Sequence, residues 1–537
     1  MVSRKRNEAV FDLKTVRYDA GGSERTFMSG VIVLTVSTVI VKIIGLAYKI
    51  PLISILGADG MGYFNTAYEI FALLCGVSTS GMPVAVSMLV SSAREMGNGK
   101  RARGIYKTSS ALLLTKGVLF SGALAVFAEP ISRLVGNPQA YFAVLAISPA
   151  LFFTCAAGAV RGYFQGCRLM SPTAISQLIE AACKLLLGVT FAAIAMGMGL
   201  GIAVSAALAV LGVSVGSLIS ALYLWKKKCA DASLRANVTG TEEKVSKYFF
   251  ELLRISLPIT VCSALIGVTR IIDMTLLLRR LQDLGVSAAE ANRIYGSYTT
   301  LALPVYSLVP AFIPPITESL IPRLAAAVQS GSRAEQTRAV SGAMRLTVFL
   351  GMPASMGIAL YSRQILSLLF SGQTEAINIS APLLSSLAIS VLFSCIITTT
   401  NAVLQSYKKV LLPILSLCVG AIVKAVSAYA LVGNAQIAAL GAPMSTLLSN
   451  AAVLILNFIF VSRTVAGKTG MLSELPKPFF ASLVAMVSSY TVFLPLVRAN
   501  VGQTVAFIIA FGVALAVYLV LAVALGVVSK EDRKSVV

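Results

Sequence analysis

Residues 504–529 read TVAFIIAFGVALAVYLVLAVALGVVS, without a charged side chain or a proline from end to end. At 1.5 Å per residue this run makes about 39 Å of helix, enough to cross a hydrocarbon core about 30 Å thick. Runs of the same kind precede it at 28–56, 63–92, 105–127, 138–160, 172–197, 201–224, 254–278, 294–317, 341–361, 378–405, 411–433, 438–462 and 478–498. Lipid offers backbone groups no hydrogen-bond partner, so a spanning segment must be a helix or part of a closed barrel. The short alternating strands of a barrel are absent from the sequence. The expected fold is therefore an all-α membrane protein with about fourteen spans.

Composition agrees. Only 12% of residues are charged, 57% are hydrophobic, and the mean hydropathy is +0.85. A soluble domain carries roughly 25% charged residues, more than this chain could put on a water-facing surface. The net charge of +22 invites a nucleic-acid reading, but the basic residues lie between the apolar runs rather than on one face of a module. The eight cysteines fall mostly inside apolar runs with no CxxC pair, as small buried hydrophobes do. With no histidine, His-dependent metal or catalytic chemistry is excluded. No Gly-rich phosphate loop of the Walker type points to ATP hydrolysis, and no sizeable extramembrane domain is available to hold a nucleotide sugar. An enzyme is not expected.

The polar segment 1–27 and the length of the first run are those of a retained segment rather than a cleavable signal. With the N-terminus inside, about 32 of the 44 basic residues fall on the cytoplasmic side and about six outside. Both termini are then cytoplasmic, in a multi-pass protein of the cytoplasmic membrane. The expected organisation is a segment 1–27, an N-lobe 28–224 (spans 1–6), a cytoplasmic linker 225–253, a C-lobe 254–462 (spans 7–12), an added pair 478–529 (spans 13 and 14) and a tail 530–537. An internal repeat supports the lobes. A shift of 240 places Phe153, Cys155, Gln165 and Lys184 on Phe393, Cys395, Gln405 and Lys424, sets Arg168 on Lys408, and brings Pro172 one place from Pro413. Two units of six helices share an orientation, the plan on which many transporters hold substrate between their halves.

Charge within a bilayer is expensive, about 2.5–3.5 kcal/mol at a helix centre, so each such residue needs a reason. Lys42, Lys49, Glu69, Lys116, Glu180, Lys184, Arg270, Asp273, Glu318 and Lys424 fall in the spans or at their ends. Glu180 with Lys184, and Arg270 with Asp273, stand at i,i+4 and i,i+3, so each pair is open to two readings, an intrahelical ion pair or contacts elsewhere. Lys49, near the outer end of span 1, can equally snorkel. Lys42 lies about 21 Å into span 1 with no acid one turn away. Its ammonium needs a partner on another helix, with Glu69 a candidate, or a substrate phosphate. Span 8 carries Pro304, Pro310, Pro314 and Pro315, each removing a backbone donor. It must bend or break, as a packing kink or as a gating hinge beside a wet cavity.

The runs VKIIGLAYKIPLISILGADGMGYFNTAYEI (41–70) and RGYFQGCRLMSPTAISQLIEA (161–181), with the six-plus-six-plus-two plan, resemble the polysaccharide-transporter branch of the MOP flippase superfamily. That branch holds the stage V sporulation protein B and MurJ-like lipid II flippase families. The resemblance covers nearly the whole chain. It implies flipping of an undecaprenyl-diphosphate-linked sugar by lobes that alternate around a cationic cavity. Lys42 falls on a basic position of span 1 that, in MurJ-like members, helps hold the diphosphate. Tyr48 stands where a second basic residue is expected, with Lys49 beside it, and Glu69 is the charged residue of span 2.

The expected activity is thus translocation of a lipid-linked cell-wall precursor across the membrane by alternating access. Lys42, Lys49, Lys184, Arg270 and Lys424 are candidate substrate contacts, and Glu69, Asp273, Glu180 and Glu318 candidate coupling or cavity groups. No metal and no cofactor is expected, and a sodium ion, a proton or the membrane potential would supply the drive. The expected partners are the lipid-linked sugar, membrane lipids and cell-wall synthesis proteins, with no nucleic acid. The rival readings are a multidrug/cation antiporter of the related MATE type, using Glu69 or Asp273 as a cation relay, and a non-transporting scaffold for envelope or spore-cortex assembly. A scaffold has no reason to keep Lys42 unpaired or to break span 8.

Overall fold

The structure is a computed structural model that describes residues 20–230, 240–241, 243–314, 317, 324, 327–328, 330–409, 411–465 and 470–526. Among these residues every regular element is helical. The N-terminal lobe comprises α1 (Ala20–Thr79), α2 (Gly81–Glu95), α3 (Gly99–Val126), α4 (Ala128–Leu134), α5 (Tyr141–Gly166), α6 (Ser171–Gly197) and α7 (Ile202–Ala230). The second lobe comprises α8 (Val245–Asp283), α9 (Ala288–Ser297), α10 (Leu303–Leu308), α11 (Arg333–Leu369), α12 (Thr374–Ser406), α13 (Leu411–Val432) and α14 (Gly441–Thr464). Two further helices follow, α15 (Pro476–Arg498) and α16 (Gln503–Ala524).

Twelve helical stretches among the described residues are long and apolar enough to span a membrane. The first of them, Val36–Glu95, is 60 residues, about 90 Å of helix and far too long for one crossing. It breaks at Gly57, where φ 65° and ψ −176° depart from the helix and favour glycine. It therefore supplies two spans, and the short pieces from Ala288 to Phe312 make a fourteenth path. Helix starts follow local chemistry. Ser287 and Ser332 each accept the backbone N–H of the glutamate three residues on, which caps α9 and α11.

The repeat is visible in the backbone. After α5, Arg168 takes a left-handed φ of 61°; after α12, Lys408 takes φ 60°. Such values are uncommon outside glycine, and these two positions stand 240 apart, as do the starts of α6 and α13 at Ser171 and Leu411. Cys155 and Cys395 are both fully buried. Each packs where a glycine of a neighbouring helix, Gly117 of α3 or Gly351 of α11, lets the backbones approach. Gly188 of α6 and Gly212 of α7 also meet backbone to backbone, where a methyl group would collide.

α15 and α16 attach to α11. Tyr361 stacks edge-on to Phe493 and hydrogen-bonds Ser489 at 2.8 Å, while the Tyr518 hydroxyl donates to the Phe349 carbonyl at 2.7 Å. The linker is shorter than the sequence expectation, since α7 continues to Ala230. The helix of span 7 begins at Val245, inside the segment 225–253 read as linker. Tyr248 and Leu252 bury themselves in one apolar cluster with residues of α2 and α3, with Tyr248 against Gly104, and Arg101 pairs with Glu251 at 3.0 Å. An amphipathic turn with a protein surface to cover does not need a long apolar run, which is why hydropathy missed it.

Candidate functional site

The two lobes meet through polar contacts at the end of the bundle where α1 breaks. Arg293 pairs with Asp59 at 3.2 Å and with Glu375 at 2.8 Å. Asn292 donates to the Asp59 carbonyl at 2.8 Å, and Asn137 donates to Asn292 and Thr66. Arg279 and Gln282 of α8 bond the free carbonyls at the end of α4, Leu134 at 2.6 Å and Gly136 at 2.8 Å. These pairs join the connection 279–293 to the turn at residues 57–60 and to the end of α4, at the end assigned outside by the distribution of basic residues.

Deeper along the same seam lies the break in span 8. Pro304 has no N–H to give Thr300, so an α-helical ladder cannot continue through it. The chain forms a π-turn at Tyr298–Ala302, in which the Leu303 N–H reaches back to the Tyr298 carbonyl. In an α-helix that donor would serve Thr299. The Thr299 carbonyl is instead taken by the Lys49 ammonium at 2.7 Å, and Asn65 donates to the hydroxyls of Thr299 and Thr300 at 2.9 and 2.8 Å. Lys49 therefore points into the lobe seam and does not snorkel. Past α10, the chain tightens into a 3-10 turn at Pro310–Phe312. Pro315 and Glu318 lie outside the described residues.

Around Lys49 the structure gathers four charges. Lys184, Arg270 and Glu69 all lie within its electrostatic reach, so with Lys49 itself three cations surround Glu69, and Asp273, also within reach of Arg270, is paired with Lys424. Arg270 approaches Glu69 at 3.6 Å, longer than a hydrogen bond, and its side chain is 56% exposed, so most of its donors stay available. The Lys184 ammonium sits 4.1 Å from the Tyr68 ring centroid and 5.2 Å from that of Tyr48, a cation–π arrangement worth about 0.5–2 kcal/mol. The buried Glu69 Oε2 and Tyr48 hydroxyl have no hydrogen-bond partner among the described residues. The site thus combines excess positive charge with unused hydrogen-bonding capacity, which suits an anionic, multiply accepting group.

Neither intrahelical ion pair forms. Glu180 turns away from Lys184, giving Oε2 to Arg161 at 2.8 Å and Oε1 to the Ser217 hydroxyl at 3.1 Å. Arg270 and Asp273 diverge, Arg270 toward Glu69 and Asp273 toward Lys424 at 2.8 Å. For Glu180 and Asp273, partners on packed helices outcompete the helical neighbour by giving the carboxylate charge-assisted hydrogen bonds. Lys424 is only 2% exposed and also bonds Thr446, so its charge is answered inside the protein. Glu69, held by Arg270, is not the partner of Lys42, which is exposed and meets no ion pair or hydrogen bond among the described residues. Lys116 is half-buried on α3.

Several residues of the seam carry no formal charge and escaped the sequence reading: Asn65, Thr299, Thr300 and the ring of Tyr68, while Tyr48 stands out in the sequence only as the replacement of an expected basic residue. A second polar knot in the other lobe joins Tyr306, Ser394, Ser390 and Asn450. The available signal was the small polar run immediately before Pro304, in 296–304.

The family described as "Polysaccharide biosynthesis protein" matches residues 27–328, and that described as "Lipid II flippase MurJ" matches residues 297–512. The lipid II flippase MurJ of Bacillus subtilis (strain 168) is 26% identical over 453 residues, 81% of this chain and 82% of the relative. Stage V sporulation protein B of the same organism is 24% identical over 452 residues, 82% of this chain and 85% of that protein. Among solved structures, a lipid II flippase MurJ in an inward closed conformation aligns with a TM-score of 0.69 at 14% identity, covering 92% of this chain and 99% of the other. An inward-facing multidrug resistance transporter of the MATE family, in the MOP superfamily, aligns with the same TM-score and identity over 83% of this chain and 99% of its own. The two-lobed fold is thus shared with both groups. With a family match over more than half its length, the chain belongs to the polysaccharide biosynthesis protein family.

Proposed function

We propose that this membrane protein is a flippase for a polyprenyl-diphosphate-linked sugar precursor of the cell envelope, working in the cytoplasmic membrane by alternating access. One observation carries the reading: Lys49, Lys184 and Arg270 converge on the lobe seam around Glu69, while the other acid near Arg270, Asp273, is paired with Lys424. A diphosphate supplies the missing negative charge, and several acceptor oxygens for the ammonium and guanidinium donors. Lys42, exposed on the same helix as Lys49, is the earlier contact on the way to that site. The polar closure at Asp59 and Arg293 serves as the outer gate, and the interrupted span 8 with Pro304 and Pro310 as the hinge. The basic connections and both termini face the cytoplasm, as the charge distribution favours. The loosely held Glu69 is the candidate site for coupling to a proton, a sodium ion or the membrane potential. The two relatives named above, a lipid II flippase and a sporulation protein, support a substrate of this class. An antiporter for cationic drugs fits poorly, because its substrate would meet three positive charges.

The test is a reconstituted assay with a fluorescent polyprenyl-diphosphate disaccharide, reading the fraction that a membrane-impermeant quencher reaches. Protein-dependent redistribution is expected, and it should disappear when Lys49, Lys184 and Arg270 are neutralised together. Redistribution at the protein-free rate would overturn the reading.

A further inference from the structure

A glutamate one turn before a lysine is the favourable orientation for a helical ion pair, and α6 carries that arrangement in Glu180 and Lys184. The structure does not use it. Arg161 of α5 reaches across to α6 and α7, donating to Glu180 Oε2 at 2.8 Å, to Ser176 Oγ at 3.0 Å and to Ser220 Oγ at 3.0 Å. Ser217 holds the other carboxylate oxygen, and the Ser220 hydroxyl also bonds the Ser176 carbonyl at 2.9 Å. Gly216 lets α7 approach the α6 backbone at Glu180 and Lys184, which brings these serines within reach. Both oxygens of Glu180 are therefore occupied on the side away from Lys184. The ammonium lies over Tyr68 and Tyr48, and no carboxylate stands within ion-pair distance of it among the described residues.

We infer that Arg161 is a positioning residue for substrate charge: by holding Glu180 it prevents neutralisation of Lys184 and keeps that cation available to the anionic headgroup. The inference rests on the flippase reading and goes beyond it, since Arg161 itself touches no part of the proposed site. Two tyrosine faces attract the ammonium without cancelling its charge, as a carboxylate would. Removing Arg161 leaves Glu180 with one serine and a lysine one turn away, and the carboxylate should turn to the lysine.

The test measures binding of undecaprenyl diphosphate and of uncharged undecaprenol to the purified full chain in detergent, with melting temperature read on the same samples. Arg161→Gln should weaken diphosphate binding about tenfold or more, the effect of losing one charge-assisted contact, and leave polyprenol binding within about twofold. Adding Glu180→Gln to Arg161→Gln removes the competing carboxylate and should restore diphosphate affinity. A purely structural role predicts that both lipids weaken together with the melting temperature, and that outcome overturns the inference. Should Arg161→Gln not accumulate in folded form, the double variant is compared with a triple variant that adds Lys184→Gln. The double should bind the diphosphate like the unaltered protein and the triple at least tenfold more weakly, whereas a double as weak as the triple also overturns the inference. An unaltered protein that binds the diphosphate no better than the polyprenol fails the flippase reading itself, which separates the two failures.

Discussion

Lys184 and Lys424 occupy the same place in the two repeats, 240 residues apart on α6 and α13, yet their surroundings differ. Lys424 is sealed in the second lobe, paired with Asp273 and bonded to Thr446. Lys184 is half-buried against two aromatic faces, while the acid nearest to it in sequence is held elsewhere by Arg161. The repeat thus preserves a cation at mid-bundle and changes what answers it. A buried pair returns little net stability for its desolvation cost, but it joins α8 to α13. A cation facing only ring quadrupoles keeps its charge for a ligand. The partner, more than the position, separates the structural lysine from the binding one.

Exchanging Arg270 and Asp273 tests this most severely. The exchange would set an arginine beside Lys424 and an aspartate beside Glu69. The like-charged contact beside buried Lys424 should alone cost about the ~3–5 kcal/mol of stranding one buried charge, the exposed contact at 270 adding less, and folded yield should collapse. If the two residues simply neutralised each other along α8, the exchanged protein would express and melt normally, and size-exclusion yield with thermal unfolding distinguishes these outcomes.

Lys424→Ala follows in size. It strands Asp273, whose Oδ1 already has no hydrogen-bond partner among the described residues, and should destabilise by about 3–5 kcal/mol. Replacing both partners with apolar residues of similar volume should recover most of that loss. An undiminished melting temperature in the single variant would place Lys424 on the binding side of the comparison.

Lys184→Ala should do the reverse. Stability should fall by no more than about 2 kcal/mol, the upper range for a cation–π contact. Diphosphate affinity should fall ten- to a hundredfold, the equivalent of ~1.5–3 kcal/mol. Lys42→Ala belongs with it, since an exposed lysine without a partner contributes little to folding; Lys42→Arg should retain much of the transport. Loss of stability with normal flipping per folded molecule would remove either lysine from the site.

The contrast also explains what could be read in advance. The spans, the two lobes and the repeat follow from hydropathy and spacing, because lipid imposes one requirement on every crossing. The break in span 8 was visible in its prolines. The choice of partners was not: Glu180 and Asp273 have attractive neighbours on their own helices, and only packing reveals that Arg161 and Lys424 outcompete them. Asn65 and Thr299 were invisible for a different reason. Neutral polar residues cost little in a span, and the carbonyl that Lys49 takes is freed by a π-turn whose register no composition reveals.

The smallest expected effect tests the repeat where its two copies are most alike in backbone. Arg168 and Lys408 both sit at φ near +60°, where a side chain costs about 1–2 kcal/mol and glycine does not. Lys408→Gly relieves that strain but gives the unfolded chain more freedom, an opposing term of about 0.4–1 kcal/mol. The net result should be a stabilisation of up to about 1 kcal/mol, seen as a small rise in melting temperature. Arg168→Gly gains the same relief and loses an exposed pair with Glu95 at 2.6 Å, worth about 0–1 kcal/mol, so it should come out near neutral. The two substitutions should differ by at least the value of that pair. A clear loss of stability from Lys408→Gly would mean that its side chain makes a contribution the backbone comparison does not capture, and the two turns would then be alike in geometry but not in energetics.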